Sequence, residues 1–385
     1  MIEGKVVFQM NQILKRKALD SIKPYTPGKP LWELQDELGL QEVIKLASNE
    51  NPLGASPKAI EAIFNILNEL NRYPDAHAVE LKKIIASRLD LKTEQLIITN
   101  GADELITLIS ETFLEPSDEI IVPFPSFSEY DFGAHLMGAK VVPVPLDHEY
   151  QFNIETILAA VTEHTKLIYI GSPNIPTGTY MPKSMLEKLL HSLPKNILVV
   201  FDSAYSHFAT NEDYTNGLEF VRSDDPIIVL QTFSKIYGLA GLRVGFGVAP
   251  KSIIQSILHV KEPFNVNSLA QAAAVAALRD HEHVKRSRQL NTEGRVQLYK
   301  VLSVLGLEYT ESMGNFILVK FGVHANDVYQ QLLTHGVIVR YGDIWGLPEH
   351  IRISIGTQEE FTILIEAISS ILLKLRSVNF KGDVK

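Results

Sequence analysis

Cysteine does not occur in this chain of 385 residues. Disulfides, thiolate metal sites and cysteine nucleophiles are excluded together, and the composition suits a reducing compartment. A surplus of basic charge is also lacking. Thirty-six Lys and Arg face 45 Asp and Glu, a formal net charge of −9, so the basic face that nucleic-acid binding requires is not supplied. Long apolar runs are missing: none approaches the ~18 residues of a membrane span. The opening MIEGKVVFQMNQILKRK has no apolar core followed by a small-residue cleavage site, so no secretory signal is expected and a cytoplasmic protein is. There is no internal repeat, no low-complexity tract and no expected metal site. The rest of the composition, 45% hydrophobic and 21% charged, is that of a soluble globular protein. The length predicts about two domains.

What is present is an ordered alternation. Strand-like apolar runs stand at 95–99, 119–123, 140–144, 166–170, 196–202, 226–232 and 243–249, with helix-like segments such as 102–114 and 181–193 between several of them. Short buried strands alternating with helices predict a largely parallel α/β sheet, whose ligands sit at the carboxyl ends of its strands. Helical patterns at 268–280 and 283–306 follow, then strand-like runs at 314–321, 336–341 and 350–356 with helices at 325–334 and 358–375. The latter predict a smaller α+β unit. The segment 21–39, rich in Pro and Gly, reads as an arm leading into a short helix.

The groups with chemistry fall at the strand ends. In TFSKIYGLAGLR (232–243) a single lysine, Lys235, stands among hydroxyls and a glycine-spaced apolar run. A lysine at a helix start ordinarily snorkels. A partly desolvated one beside another cation loses proton affinity and becomes a nucleophile able to form a Schiff base. Thr232, Ser234, the opening amides and the Arg243 fork describe a phosphate site beside that amine. VVFDSAYSHF (199–208) puts Asp202 at the end of a buried strand and Tyr205 three residues on. Such an aspartate commonly caps a turn; paired with a pyridine nitrogen it would keep a pyridoxal ring an electron sink. SPNIPTGTY (172–180) is a stiff turn presenting Asn174, NGADE (100–104) a strand–glycine–helix cradle of amides, and PFPSFSEY (123–130) offers Phe127 as an aromatic plate.

Taken together these motifs resemble the fold-type I pyridoxal-phosphate enzymes of the aspartate aminotransferase superfamily, and within them the histidinol-phosphate aminotransferases. The resemblance runs through PYTPGKP (24–30), KLASNENPLGASPKA (45–59), RYPD (72–75), NGADE, SPNIPTG, FDSAY, TFSKIYGLAGLRVGF and IRISIGT (351–357). It implies a large domain over 51–278 with a mainly parallel seven-stranded sheet between helices, a small domain over 279–385, and residues 1–50 as an arm and part of the small domain. It implies pyridoxal 5′-phosphate carried by Lys235, with Asp202, Tyr205 and Asn174 holding the ring and Phe127 stacked on it. Ala102, Asp103, Thr232, Ser234 and Arg243 would line its phosphate side. Tyr73 would reach the cofactor of a second subunit, making the enzyme a homodimer.

The implied reaction is transamination, Lys235 moving a proton between substrate Cα and cofactor, with glutamate and 2-oxoglutarate as one substrate pair. Arg352 matches the family arginine for the glutamate carboxylate or a substrate phosphate, and Arg340, Tyr25 and Asn49 match neighbouring substrate positions. A dianion gains more than a monoanion from two guanidinium forks, which favours a phosphorylated amino alcohol. Tyr341 and Trp345 beside Arg340 offer aromatic surface that suits an aromatic amino acid equally well. Departures are modest: Ile175 replaces a second asparagine, Phe127 a tyrosine and Ser203 a glutamate. A decarboxylase of the same fold, such as one acting on threonine phosphate, would share Lys235 and Asp202. A nicotinamide dehydrogenase is excluded because glycines 238, 241, 245 and 247 never take G-x-G-x-x-G spacing.

Overall fold

The seven apolar runs meet in one sheet. The computed structural model describes residues 15–20, 22, 31–39 and 42–382, with side chains to residue 375. After a short strand β1 (Ile44–Lys45), the chain forms β2 (Leu96–Thr99), β3 (Glu119–Phe124), β4 (Lys140–Pro145), β5 (Thr165–Gly171), β6 (Leu198–Asp202), β7 (Ile227–Thr232) and β8 (Gly245–Val248). These seven lie in the order β2-β8-β7-β6-β5-β3-β4. Both faces are covered, which is why the strands read as continuous apolar runs. Val199 and Phe201 join one core and Leu198 and Val200 the other.

One strand is the exception in this mainly parallel sheet. β8 pairs antiparallel with both β2 and β7. The link from β7 to β8 holds only a single short 3₁₀ turn, Ala240–Leu242, and no crossover helix, so the chain turns back beside itself. The reversal matters for the site. The other six strands deliver their C-terminal ends to one edge, while β8 delivers its N-terminal end there. Arg243 therefore reaches that edge by preceding a strand, whereas the other large-sheet groups follow theirs.

Register locks this edge. Thr99 and Thr232 both pair with Gly245, and helix Ala102–Phe113 starts directly against it. A Cβ on Gly245 would lie 2.8 Å from Ala102 N and 2.9 Å from Gln231 O, and neither backbone atom has a side chain's freedom to yield. Gly245→Ala is expected to cost about 1–3 kcal/mol by overpacking, read as a lower denaturant midpoint; an unchanged midpoint would show that the edge is not locked.

A second unit contains β9 (Glu308–Tyr309), β10 (Phe316–Lys320), β11 (Val337–Ile338), β12 (Arg340–Tyr341) and β13 (His350–Ser354). Four of these form an antiparallel sheet in the order β12-β13-β10-β9, and β1 joins β11. Alternation is strict along β13: Ile351 and Ile353 enter a core with Ile317, Val319, Leu302 and Phe361, which leaves Arg352 and Ser354 on the opposite face. The expected long helix is His281–Leu305, capped by Asp280 and ended by Gly306 in the left-handed conformation.

Candidate active site

Three strand ends build an anion cradle. Helix Ala102–Phe113 opens after Gly101 at φ 85°, and the amides of Ala102 and Asp103 have no carbonyl one turn earlier to bond. Across Gly245, Thr232 Oγ1 accepts from Ser234 N at 3.0 Å, folding the Ser234 hydroxyl toward the same edge. Arg243, itself in the left-handed region at φ 55°, donates to Ala240 O at 3.0 Å and to Ser234 Oγ at 3.4 Å. Such a backbone costs a non-glycine residue about 1 kcal/mol or more, and the side-chain bonds hold it there. The Asp103 carboxylate pairs with Arg243 at 3.1 Å and is more than half exposed. The sequence places Asp103 among the anion ligands; in the structure only its amide suits that role.

Beside the cradle, Asp202 closes β6 and is buried. Tyr130 Oη donates to its Oδ2 at 2.8 Å and Ala204 N to its Oδ1 at 3.0 Å. Burial pushes the carboxyl above its ordinary range, against the opposing pull of those two hydrogen bonds. Tyr130 ends the PFPSFSEY run, where nothing local marks its role; a buried tyrosine needs an acceptor, and its partner is 72 residues away. Asn174 is fully buried, but its carboxamide is engaged within its own neighbourhood. It donates to Pro125 O and Thr177 Oγ1 and accepts from Ser126 Oγ, all within 3.0 Å.

Lys235 Nζ donates to Ser48 O at 3.1 Å and lies 5.6 Å from the centre of the Tyr205 ring. Ser48 belongs to a segment stretched between the two sheets. Leu46 bonds Ile338 and Ser354 through its backbone, and Asn49 follows at φ 54°. Asn49 Nδ2 donates to Tyr205 Oη at 2.9 Å, while Ser354 Oγ accepts from Asn49 N and donates to Asn49 Oδ1. Asn315 Nδ2 donates to Asn49 O at 3.0 Å. Asn49 thus ties Tyr205 to the small sheet, and Ser354 and Asn315, neither singled out in the sequence, secure it.

Arg340 and Arg352 are direct cross-strand partners on β12 and β13. Like charges placed opposite each other repel. Arg352 is only 6% exposed and donates to Ala47 O at 2.6 Å. Both arginines line a cleft of about 160 Å³ together with Lys235, Tyr205, Ser48 and Asn49; Phe127, Ile175, Ile344 and Trp345 supply its apolar part. A larger cleft, about 600 Å³, lies between His148–Gln151 and Glu308–Glu311. It contains none of these groups, and convergent chemistry rather than size identifies the site.

Three further residues of the expected set are not among those lining this cleft, Tyr73 being expected at a second subunit's. Tyr25 lies outside the described residues. Tyr73 is 82% exposed and stacks on Phe264 at 4.8 Å, away from this chain's own cleft. Tyr341 does not form the aromatic wall expected of it. Its ring stacks on Tyr329 at 5.7 Å and its hydroxyl donates to Pro348 O at 3.0 Å. Among the described residues there is no group of three or more His, Asp or Glu able to hold a metal ion, and no helix is long and apolar enough to cross a membrane.

Residues 41–368 match the family model for aminotransferase class I and II. The histidinol-phosphate aminotransferase of Moorella thermoacetica is 48% identical over 358 residues, covering 93% of this chain and 92% of that protein. Histidinol-phosphate aminotransferase 2 of Carboxydothermus hydrogenoformans is 42% identical over 358 residues, covering 93% and 99%. Among solved structures, the histidinol-phosphate aminotransferase of Sinorhizobium meliloti in complex with pyridoxal-5′-phosphate has the same fold. Its TM-score is 0.86 at 24% identity, over 94% of this chain and 99% of that one.

Proposed function

We propose, from the premise that the chain belongs to the class I and II aminotransferases and within them to the histidinol-phosphate aminotransferases, that its cleft exchanges an amino group between histidinol phosphate and 2-oxoglutarate in histidine biosynthesis. The observation that carries the substrate is the cross-strand pair Arg340 and Arg352, both lining the cleft that holds Lys235. A substrate phosphate dianion gains more from two guanidinium forks on one face of a sheet than a carboxylate does.

The residues fit pyridoxal phosphate. Asp202 is a buried carboxylate whose charge burial opposes, and a protonated ring nitrogen is the counter-charge it suits. A Cβ on Gly101 would lie 2.5 Å from Arg243 Nη2, so the cradle keeps its guanidinium close only because that residue is glycine. We assign the phosphate to the amides of Ala102 and Asp103 with Thr232, Ser234 and Arg243. Asp202 and Tyr205 would hold the ring, with Phe127 beside it and Asn174 bracing the loop behind. When bound, the cofactor supplies a carbonyl carbon for amine exchange and a ring that withdraws electrons from the substrate Cα.

The chain's own residues do the rest. Ser48 O orients the Lys235 amine, which takes the proton from the substrate Cα and returns it elsewhere, a shuttle worth about 10²–10⁴ in rate. Tyr205, held by Asn49, places a hydroxyl at the ring edge. Arg352 and Arg340 hold the far end of the substrate, so that the Cα lies where Lys235 can reach it. Phe127, Ile175, Ile344 and Trp345 give the imidazole an apolar wall and exclude water. With Tyr341 engaged elsewhere, that wall offers an aromatic amino acid less surface than the sequence suggests.

We extend the reading to a cytoplasmic homodimer. Phe64, Leu67, Leu70 and Tyr73 are 65%, 40%, 55% and 82% exposed in the single chain, an apolar strip that a second copy would cover, carrying Tyr73 toward the partner's cleft.

The test is a half-reaction in which cofactor-loaded enzyme meets L-histidinol phosphate or L-phenylalanine while the visible absorbance bleaches. Histidinol phosphate should bleach it at least about tenfold faster, and Arg340→Gln should remove most of that advantage, since one charge-assisted contact is worth about 1.5–3 kcal/mol. Equal rates with both amines would reject the phosphate and favour aromatic amino acids.

A further inference from the structure

A file of cationic and aromatic groups runs from the cleft through the buried Phe316 beside it. Lys235 Nζ stands 5.6 Å from the centre of the Tyr205 ring. Tyr205 meets Phe316 at 5.1 Å and an interplanar angle of 79°. The Arg352 guanidinium carbon lies 5.3 Å from the Phe316 ring centre and 4.9 Å from that of Trp345. Phe316 is the one member that touches both ends, Tyr205 on the amine side and Arg352 on the anion side. We propose that Phe316, together with Trp345, is a positioning residue that fixes the Arg352 guanidinium relative to Tyr205 and so registers the substrate's anion against its amine. This deepens the preceding reading and rests on Arg352 as the anion receptor.

Geometry carries the proposal. A guanidinium on a flexible stem needs more than one contact to hold its plane. The bond to Ala47 O secures one corner, and the two ring faces supply cation–π contacts that are stronger when desolvated. Both rings are buried, Phe316 fully. Sheet register explains why Phe316 is in reach: on β10 it pairs with Ser354, while Arg352 pairs with Leu318. Phe316 and Arg352 are therefore same-face diagonal neighbours, close enough for an aromatic side chain to bridge. The ring in turn lies on bare backbone. A Cβ on Gly314 would approach its edge to 2.7 Å, so that glycine lets the ring take this position. An apolar residue without a flat face would fill the same core volume and hold neither neighbour in this way.

The experiment measures KM and kcat for histidinol phosphate and for glutamate, with Phe316→Leu and Trp345→Leu each made in the parent and in Arg352→Lys, and a melting curve for every variant. In the parent background each leucine should raise KM for both substrates about tenfold, on the scale of one desolvated cation–π contact, while kcat falls only about twofold by the same logic of lost uniform binding. Trp345→Phe, which keeps a ring face, should restore most of the parent KM. In Arg352→Lys, Phe316→Leu should add almost nothing for either substrate and Trp345→Leu almost nothing for glutamate, which has no imidazole to rest on the Trp345 wall, because the group that both rings position is gone. Should Phe316→Leu fail to fold, Trp345→Leu and Gly314→Ala, which displaces the ring without removing it, carry the same comparison. An equal rise in KM with or without Arg352 would overturn the proposal, as would no rise where Arg352→Lys itself raises KM. No change in KM on Arg352→Lys would instead bring down the anion receptor and the proposal with it.

Discussion

Lys235→Ala is expected to abolish turnover, with kcat lower by about four orders of magnitude, at the upper end for loss of a general base that is also a nucleophile. Among the described residues Lys235 is the only lysine lining the cleft, so no other amine described there can take over proton transfer. Its substitution leaves the anion cradle untouched, because Arg243 is held by Ala240 O, Ser234 and Asp103. The variant should consequently still take up pyridoxal phosphate, more weakly and without covalent attachment. Absorbance during cofactor titration reads the first point and single-turnover mixing with histidinol phosphate reads the second. A small added amine should restore part of the rate, since the cavity left by the side chain opens onto the Ser48 carbonyl that oriented Nζ. Robust steady-state turnover by the unaided variant would refute the role given to Lys235.

How far this site could be read in advance depends on whether a residue's partners are local. Lys235, Thr232, Ser234 and Arg243 lie within twelve positions of one another, so their grouping is visible in one motif. Asp202 follows a run of buried residues, and the strand-end rule for open α/β sheets places it. Arg352 shows itself by alternation, a charge between isoleucines on a short strand. The residues that escaped notice act through distant pairing. Ser354 reaches Asn49 across 305 positions and Asn315 reaches it across 266; neither a serine in a strand nor an asparagine before one announces such a partner. Phe316 reads as ordinary core, since only the β10–β13 register shows that it shares a face with Arg352. The reversed direction of β8 was not legible from length alone, since the residues between Thr232 and Gly245 reach the dozen or so that a crossover needs; it follows from the link forming only a 3₁₀ turn. Tyr341 failed for a related reason, being next to Arg340 in sequence and so directed to the other face of its strand.

Asparagine at position 202 should separate activity from stability. Asp202→Asn is expected to lower kcat about a thousandfold, the scale of losing one buried electrostatic partner of the reacting system. The amide has nearly the same shape and can keep the bond from Ala204 N to Oδ1, while its NH₂ can donate to Tyr130 Oη in place of the bond that Oδ2 now accepts. What it lacks is the charge that would hold a proton on the ring nitrogen. The same charge burdens the cofactor-free protein. Burial raises the folded-state pKa of Asp202, so the folded chain favours the protonated form; that contribution is fully present below the unfolded pKa and is lost as pH rises through the folded one. Near neutrality the parent apoenzyme has lost it, whereas the asparagine variant has no proton to lose. Cofactor-free Asp202→Asn should therefore have the higher denaturant midpoint at neutral pH, with the gap closing in acid. A midpoint below the parent's at neutral pH would contradict the buried-charge account, and activity within about tenfold of the parent would remove Asp202 from the chemistry. Raised stability with collapsed activity is the signature of a group kept for its function, since the fold alone is better served by the neutral side chain.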